Sequence, residues 1–434
     1  MERSIYTSLL KWKEKTKHKP LILLGARQVG KTFILKELGN KAFDNLVYLN
    51  CHEDPFVRSL FSDLIAKRIV HDIEIRKEVQ IIPGKTLVFI DEIQEAPNGI
   101  ASLKYFCEDL PDLHVVAAGS LLGITLREGE SFPVGKVEIM RMYPMTFLEF
   151  LVAANRPKLA ETIMAKDWGT LTSFHEELTD YLRQYYFTGG MPEVVETYLQ
   201  TKDPKETRNV QRNVLEAYRD DLSKHTKPQI QRIRQVWESI PAQLSRENKK
   251  FVFGAVRKGA RAADFEMALR WLADAGLICK VERAKIPQQP LKFYADDSAF
   301  KVYWFDCGLL ACMANARPED MLLGDSAFTG FKGAFTENYV LQQLKASDDE
   351  ISICYYSKDN SSLEVDFLVE TNGKVVPVEV KAKENVKSKS FSQFITIDHA
   401  EAHFKGIRLS MKPFIDQGWM ENWPLYAAGG IMKQ

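Results

Sequence analysis

Residues Pro20–Thr32, PLILLGARQVGKT, decide the fold of this chain. Leu21–Leu24 form a short apolar run of the kind that makes a buried strand, and KTFILKEL, beginning at Lys31, reads as a helix. Between them, Gly25–Thr32 fits the pattern G-x-x-x-x-G-K-[ST], with the strand before it and the helix after it that the pattern requires. Gly25 and Gly30 allow tight backbone conformations that aim successive N–H groups inward. Such a concave row, backed by a helix N-terminus, binds an anion. The expected cradle is Gly25, Ala26, Arg27, Gln28, Val29, Gly30, Lys31, Thr32 and Phe33. Lys31 is expected to neutralise the β- and γ-phosphates of ATP, and Thr32 to give its hydroxyl to Mg2+.

Working outward, NLVYLNC, KTLVFIDE, LHVVAAGS and KVEIMRMYP supply four more apolar runs, separated by helical or looped stretches. That alternation predicts a parallel sheet covered on both faces. KTLVFIDE delivers Asp91 and Glu92 at the C-terminal end of its strand, the edge where open α/β sheets bind ligands. Asp91 is expected to hold Mg2+ through water, and Glu92 to orient or deprotonate the attacking water. An acidic pair after a strand is by itself an ordinary helix-capping signal; the phosphate loop upstream favours catalysis. Ser120, at the tip of LHVVAAGS, is a candidate sensor of the γ-phosphate, and Arg127 a candidate arginine finger.

With LLGARQVGKT, FIDEIQEAP, AAGS, YPMTFLEFL and YFTGGMPEVV, the chain resembles the AAA-type ATPases of bacteria and archaea often labelled archaeal ATPases. The resemblance extends through FKVYWFDCGLL and VPVEVKAKENVKSKS. It implies an AAA-like core, a helical and winged-helix middle, a nuclease-like end, and a homo-oligomer formed by ATP-promoted self-association, into a ring rather than a closed dimer; the alternative is a monomer whose lid and C-terminal domain close over the nucleotide. One departure is visible: the family often has Gly-Arg before the last core strand, where this chain has Gly135-Lys136. A lysine there offers only a point charge.

The expected fold is therefore α/β, divided into a P-loop core (1–150), a helical lid (151–225), a winged-helix-like module (226–315) and a restriction-endonuclease-like α/β domain (331–434). In the middle, RAADFEMALRWLADAGL is the candidate recognition helix. It carries Arg261 and Arg270, with Arg257 and Lys258 just upstream, but also Asp264 and Glu266, which repel phosphates. The alternative is a packing module. Ala314–Phe331 reads as a linker.

The last domain contains EVDFLVETNGKVVPVEVKAKEN, two strands joined by a turn at Asn372-Gly373. Side chains alternate along a strand, so Glu379 and Lys381 share a face. Strand pairing brings Asp366 toward Glu379. Two carboxylates could then hold Mg2+ while Lys381 positions water or stabilises developing charge on phosphate. Glu337, on the preceding helix, is a further candidate acid. The pattern resembles that of PD-(D/E)xK nucleases; its alternative is an ordinary hairpin face on which acids and lysines pair.

The chain is 45% hydrophobic and 27% charged, ordinary values for a globular protein, and its 434 residues suggest about three domains. The 58 basic residues balance the 58 acidic ones, so net charge gives no global nucleic-acid signal. Six cysteines without a CxxC pair read as reduced thiols. His399 and His403 have i, i+4 spacing but no evident third ligand. No secretory signal or bilayer-length apolar run is present, so the sequence reads as a cytoplasmic protein that does not enter membranes. The expected activity is Mg2+-dependent ATP hydrolysis coupled to a nuclease-like domain, with DNA as candidate partner. The alternative is a nucleotide-dependent switch acting on a protein partner, its nuclease fold inactive.

Overall fold

The structure, a computed structural model, describes residues 1–120, 132–222, 227–246, 250–323, 332–348, 350–359, 363–382 and 388–433. Two compact units emerge: Glu2–Tyr143 with Asp274–Gly276, and Pro144–Ala273 with Leu277–Gln434.

The first unit is built on five parallel strands: β1 (Leu21–Gly25), β2 (Asn45–Asn50), β3 (Thr86–Asp91), β4 (His114–Ser120) and β5 (Glu138–Met142). Their order is β2-β3-β4-β1-β5. Every residue of β1 and β3 is buried, as a parallel sheet covered on both faces requires. The helices Ala66–Lys77 and Gly99–Asp109 turn Ile69, Ile73, Ile100, Leu103 and Phe106 into a core with Ile22, Leu24, Val88 and Ile90 of the sheet. The C-terminal ends of β1, β3 and β4 lie along one edge, where Gly25 is the register partner of Ser120. A Cβ at Gly25 would run into the Met142 carbonyl oxygen. Close approach of β1 to β5 therefore demands glycine at the start of the phosphate loop.

The second unit begins with helices, among them His175–Thr188, Pro192–Thr201, Pro204–Leu222 and Lys227–Leu244. It continues with eight strands: β6 (Ile278–Ala284), β7 (Ala295–Trp304), β8 (Ser352–Ser357), β9 (Glu364–Thr371), β10 (Lys374–Lys381), β11 (Gly406–Ser410), β12 (Ile415–Asp416) and β13 (Met420–Pro424). They form one sheet ordered β12-β13-β11-β10-β9-β8-β6-β7. The helix Ala262–Asp274 followed by the β6–β7 hairpin has the expected helix-then-hairpin order. The hairpin, however, is not a projecting wing, because β6 pairs in parallel with β8 of the C-terminal segment. That pairing satisfies a row of backbone groups that a wing would leave exposed at an edge. Asp264, feared as a repulsive charge, accepts the Arg261 N–H at the start of this helix. The expected linker contains a short helix, Pro318–Leu322.

Asp306 joins three segments of this unit. The side chain is fully buried, and its two oxygens accept N–H groups from Leu309 (2.9 Å), Gly190 (2.7 Å) and the Gln342 amide (3.3 Å). Burial pushes its pKa up to about 6, against the pull of these donors. The Gly189-Gly190 pair ends the helix His175–Thr188, and a Cβ at Gly308 would strike the backbone of Thr188 and Gly189. Next to it, the buried Tyr185 hydroxyl donates to the Met145 carbonyl and accepts from the amides of Gln342 and Gln343. Gly308→Ala is therefore expected to destabilise the protein by on the order of 3 kcal/mol through overpacking. Denaturant unfolding measures this, and a stability equal to that of the parent would show that the contact is not needed.

Candidate functional site

The loop Gly25–Thr32 closes over its own lysine. Gln28 and Gly30 have positive φ angles of 61° and 100°, the kind of alternation that turns successive N–H groups into a concave nest. Arg3 pins the loop from outside, donating to the Val29 carbonyl at 2.8 Å and to the Tyr143 carbonyl at 2.6 Å. The Lys31 ammonium lies back on the carbonyls of Gly25 and Ala26, at 3.0 and 2.9 Å. It is buried, and desolvation lowers its pKa to about 8 despite the acids Glu92 and Asp91 nearby. Phe33, the last of the expected cradle residues, is 58% exposed.

Asp91 ends β3 facing Thr32. Its Oδ2 accepts the Thr32 hydroxyl at 2.9 Å and the Tyr48 hydroxyl at 3.0 Å, while Oδ1 accepts the Glu92 N–H at 3.2 Å. Burial raises the Asp91 pKa, and the hydroxyl donors oppose that rise. The same surroundings push the buried Cys51 thiol up to about 12, too high for a nucleophile near neutral pH. Glu92 takes the left-handed conformation, φ 50° and ψ 45°, a costly state for a non-glycine residue that is enriched at functional sites. The Gln94 amide donates to its carboxylate.

The hydroxyl of Thr32 and the carboxylate of Asp91 are hard oxygen donors within 2.9 Å of each other. They suit Mg2+, which takes one or two protein oxygens and completes its shell with water and phosphate oxygens. Ser120 stands at the end of β4 beside Gly25 in register. Arg127 lies outside the described residues. Lys136, where the family pattern has arginine, pairs with Glu108 at 2.8 Å. Tyr48, Arg3 and Gln94 were missed by the sequence reading. Only Tyr48 left a signal, as the one hydroxyl on β2, which pairs with β3.

The second candidate site lies in the C-terminal sheet. Asn372 and Gly373, both at positive φ (48° and 70°), turn β9 into β10. The ladder pairs Val378 with Phe367. Immediately beyond it, the Asp366 carboxylate accepts the Val380 N–H at 2.8 Å. Glu379 is buried, accepts the Ser388 hydroxyl, and pairs with Lys381 at 2.9 Å. It is also the register partner of Arg408 on β11. Arg408 is buried beside Glu379, donates to Ser388 at 3.3 Å, and has its pKa lowered by that burial. Glu337 is buried on the helix Lys332–Ser347 and accepts the Tyr303 hydroxyl at 3.2 Å.

Lys301 on β7 is fully buried and contacts Glu364 at 2.5 Å. Burial alone would lower its pKa, but Glu337, Glu364 and Asp366 outweigh that and raise it. The acids of the pattern thus face a built-in cation that no spacing rule announces. Among the described residues, no three His, Cys, Asp or Glu side chains group to hold a metal ion. His399 precedes a single 3-10 turn, Ala400–Ala402, rather than sharing an α-helical face with His403. Its ring packs against Tyr356 and Phe394. All six cysteines are free thiols.

Residues 17–151 match the AAA domain family model. The N-terminal part of the chain is therefore similar to an AAA domain. Residues 179–320 match a domain of unknown function (DUF8612), and residues 332–417 a second one (DUF4143). No curated protein matches. Among solved structures, the crystal structure of Cdc6p from Pyrobaculum aerophilum is similar at 12% identity, over 71% of this chain and 90% of that one. Its TM-score of 0.25 is too low to carry an argument. No described helix is long and apolar enough to cross a membrane.

The depressed Lys31 pKa has a consequence for nucleotide binding. Near pH 8 about half of these side chains are neutral, and a bound triphosphate restores the ammonium charge, so ATP binding takes up protons there. Below about pH 6.5 the lysine is already charged and contributes no uptake. Calorimetry at pH 8 in buffers of different ionisation enthalpy is expected to show uptake of up to about half a proton per ATP. Lys31→Met is expected to abolish this uptake together with most of the affinity. Equal uptake in the variant would place the titrating group elsewhere.

Proposed function

We propose that this chain binds ATP with Mg2+ and hydrolyses it, and that the turnover is coupled to a nuclease-like C-terminal domain acting on DNA. The observation that carries the first part is the joint placement of Lys31, Thr32, Asp91 and Glu92 at one sheet edge. Lys31 leaves the carbonyls of Gly25 and Ala26 to meet the β- and γ-phosphates. Thr32 and Asp91 hold Mg2+, which supplies charge neutralisation on the phosphates. Glu92 orients the attacking water and accepts its proton, and Ser120 senses the γ-phosphate. Glu92→Gln is expected to keep ATP affinity and to lower turnover by about a hundredfold or more, since the amide cannot act as a base. A steady-state ATPase assay with a binding control checks this; turnover at the parent rate would reduce Glu92 to a capping residue.

The nuclease-like reading of 331–434 rests on topology and on two strands. A helix leads into three antiparallel strands, β8, β9 and β10, after which β11 pairs in parallel with β10. Asp366 on β9, with Glu379 and Lys381 on β10, keeps the order D, E-x-K that resembles the nuclease pattern. The division into 1–150, 151–225, 226–315 and 331–434 is part of the same proposal, as is assembly into a homo-oligomer.

A second reading, a nucleotide-dependent switch acting on a protein partner through an inactive nuclease fold, has its own support. Every acid of the pattern is already engaged by a protein donor, and Lys301 neutralises the cluster from within. Incubation of supercoiled and branched DNA with Mg2+ or Mn2+ separates the two. The first reading expects nicking that is lost in both Asp366→Ala and Lys381→Ala. Absence of cleavage in the parent protein under all conditions favours the switch.

A further inference from the structure

The helix Pro204–Leu222 places Lys205, Arg208 and Arg212 at i, i+3 and i+7, on one face. Together with the segment Asn315–Glu319, that face bounds a pocket of about 480 Å3. Four cations line it, Lys205, Arg208, Arg212 and Arg317, against a single acid, Glu319. Arg317 is partly neutralised by a two-bond fork to Asp320, at 2.9 and 2.8 Å. Lys205 and Arg212 are exposed, whereas Arg208 is only 7% exposed. Its guanidinium lies over the Phe187 ring, 5.1 Å from the centroid, and Nη2 donates to the Ala316 carbonyl at 2.8 Å. Nη1 is buried and has no hydrogen-bond partner among the described residues.

A buried guanidinium nitrogen without an acceptor is costly. A phosphoryl group relieves that cost well, because it offers several charged oxygens to a planar fork of donors. The first turn of a long helix adds a favourable dipole for an anion at the Pro204 end. The volume falls within the range that takes a small organic ligand. The cations converge on one cavity from two chain segments, and the innermost of them is stacked and tethered in advance. That arrangement suits one compact phosphorylated group better than a long backbone, which is tracked by charges spread along a surface.

We propose that this pocket is a second phosphate site, separate from the Gly25–Thr32 loop, and that it takes a small phosphorylated ligand of about nucleotide size. Arg208 holds the phosphoryl group from below, and Lys205 and Arg212 close on it from the helix. Opening of the pocket floor by a small movement of the Arg208 side chain brings Nη1 to the ligand.

The test uses the full chain carrying Lys31→Ala, so that the phosphate loop contributes nothing, with inorganic pyrophosphate as the probe. Calorimetry and thermal unfolding are expected to show pyrophosphate binding and stabilisation in this protein. Arg212→Glu or Lys205→Glu, both at exposed positions, is expected to weaken binding by at least tenfold while the unliganded thermal transition stays that of the parent. Arg208→Lys is expected to weaken it as well, because lysine lacks the planar fork. Absence of binding in the Lys31→Ala protein, or binding that Arg212→Glu leaves unchanged, overturns the proposal. Binding of a single-stranded oligonucleotide without any binding of pyrophosphate also overturns it and makes the face a nucleic-acid contact instead.

Discussion

A carboxylate sealed from water at Asp306 is the constraint around which the larger unit is arranged. Its oxygens must be satisfied without solvent, and they are, by N–H groups from three separate stretches of chain. Those donors arrive only if the helix His175–Thr188 stops at Gly189-Gly190, if Gly308 offers no side chain, and if the helix Lys332–Ser347 presents Gln342 inward. A buried acid with too few donors would be strongly destabilising. This explains why TGG and FDCG, far apart in the chain, behave as halves of one joint. The helix Lys332–Ser347 carries further buried amides that serve other backbone groups. Asn338, for example, both accepts from and donates to the Trp304 backbone.

In the smaller unit the organising problem is a buried positive charge. Lys31 cannot reach water, so it borrows the carbonyls of its own loop. Those carbonyls are neutral and compensate poorly, and the low pKa records the deficit. A site of this kind is poised for an anion. Asp91, meanwhile, is held by two hydroxyls rather than by a cation. Thr32 and Asp91 thus stand paired, with their oxygens facing each other.

The C-terminal sheet solves an opposite problem, an excess of acids. Glu337, Glu364 and Asp366 surround Lys301, and Glu379 lies between Lys381 and Arg408. Each acid therefore has its charge met from a strand other than its own or from its own strand's lysine. Because β6 joins β8, the residues of the middle segment, Lys301 and Tyr303 among them, become part of this surface. Such an arrangement is compatible with a chemical site and equally with a structural core of paired charges, since burial favours pairing in both.

The sequence by itself determined the elements whose meaning is local. The glycines, lysine and threonine of Gly25–Thr32 act within a single turn, and β3 ends on Asp91 with Glu92 immediately after it. The Asn372-Gly373 turn likewise fixes the β9–β10 hairpin from two residues. Five apolar runs were enough to read a covered parallel sheet, because burial on both faces leaves near-continuous hydrophobic strands. What only the tertiary structure decided was which distant groups meet these. Tyr48 reaches Asp91 because β2 lies beside β3, Arg3 reaches Val29 across 26 residues, and Lys301 is closed in among acids by the pairing of β6 with β8. The hairpin's place in the C-terminal sheet, instead of as a free wing, was hidden for the same reason. Strand alternation says which face a side chain takes but not which strand will lie alongside, and that choice is made by the packing of the whole unit.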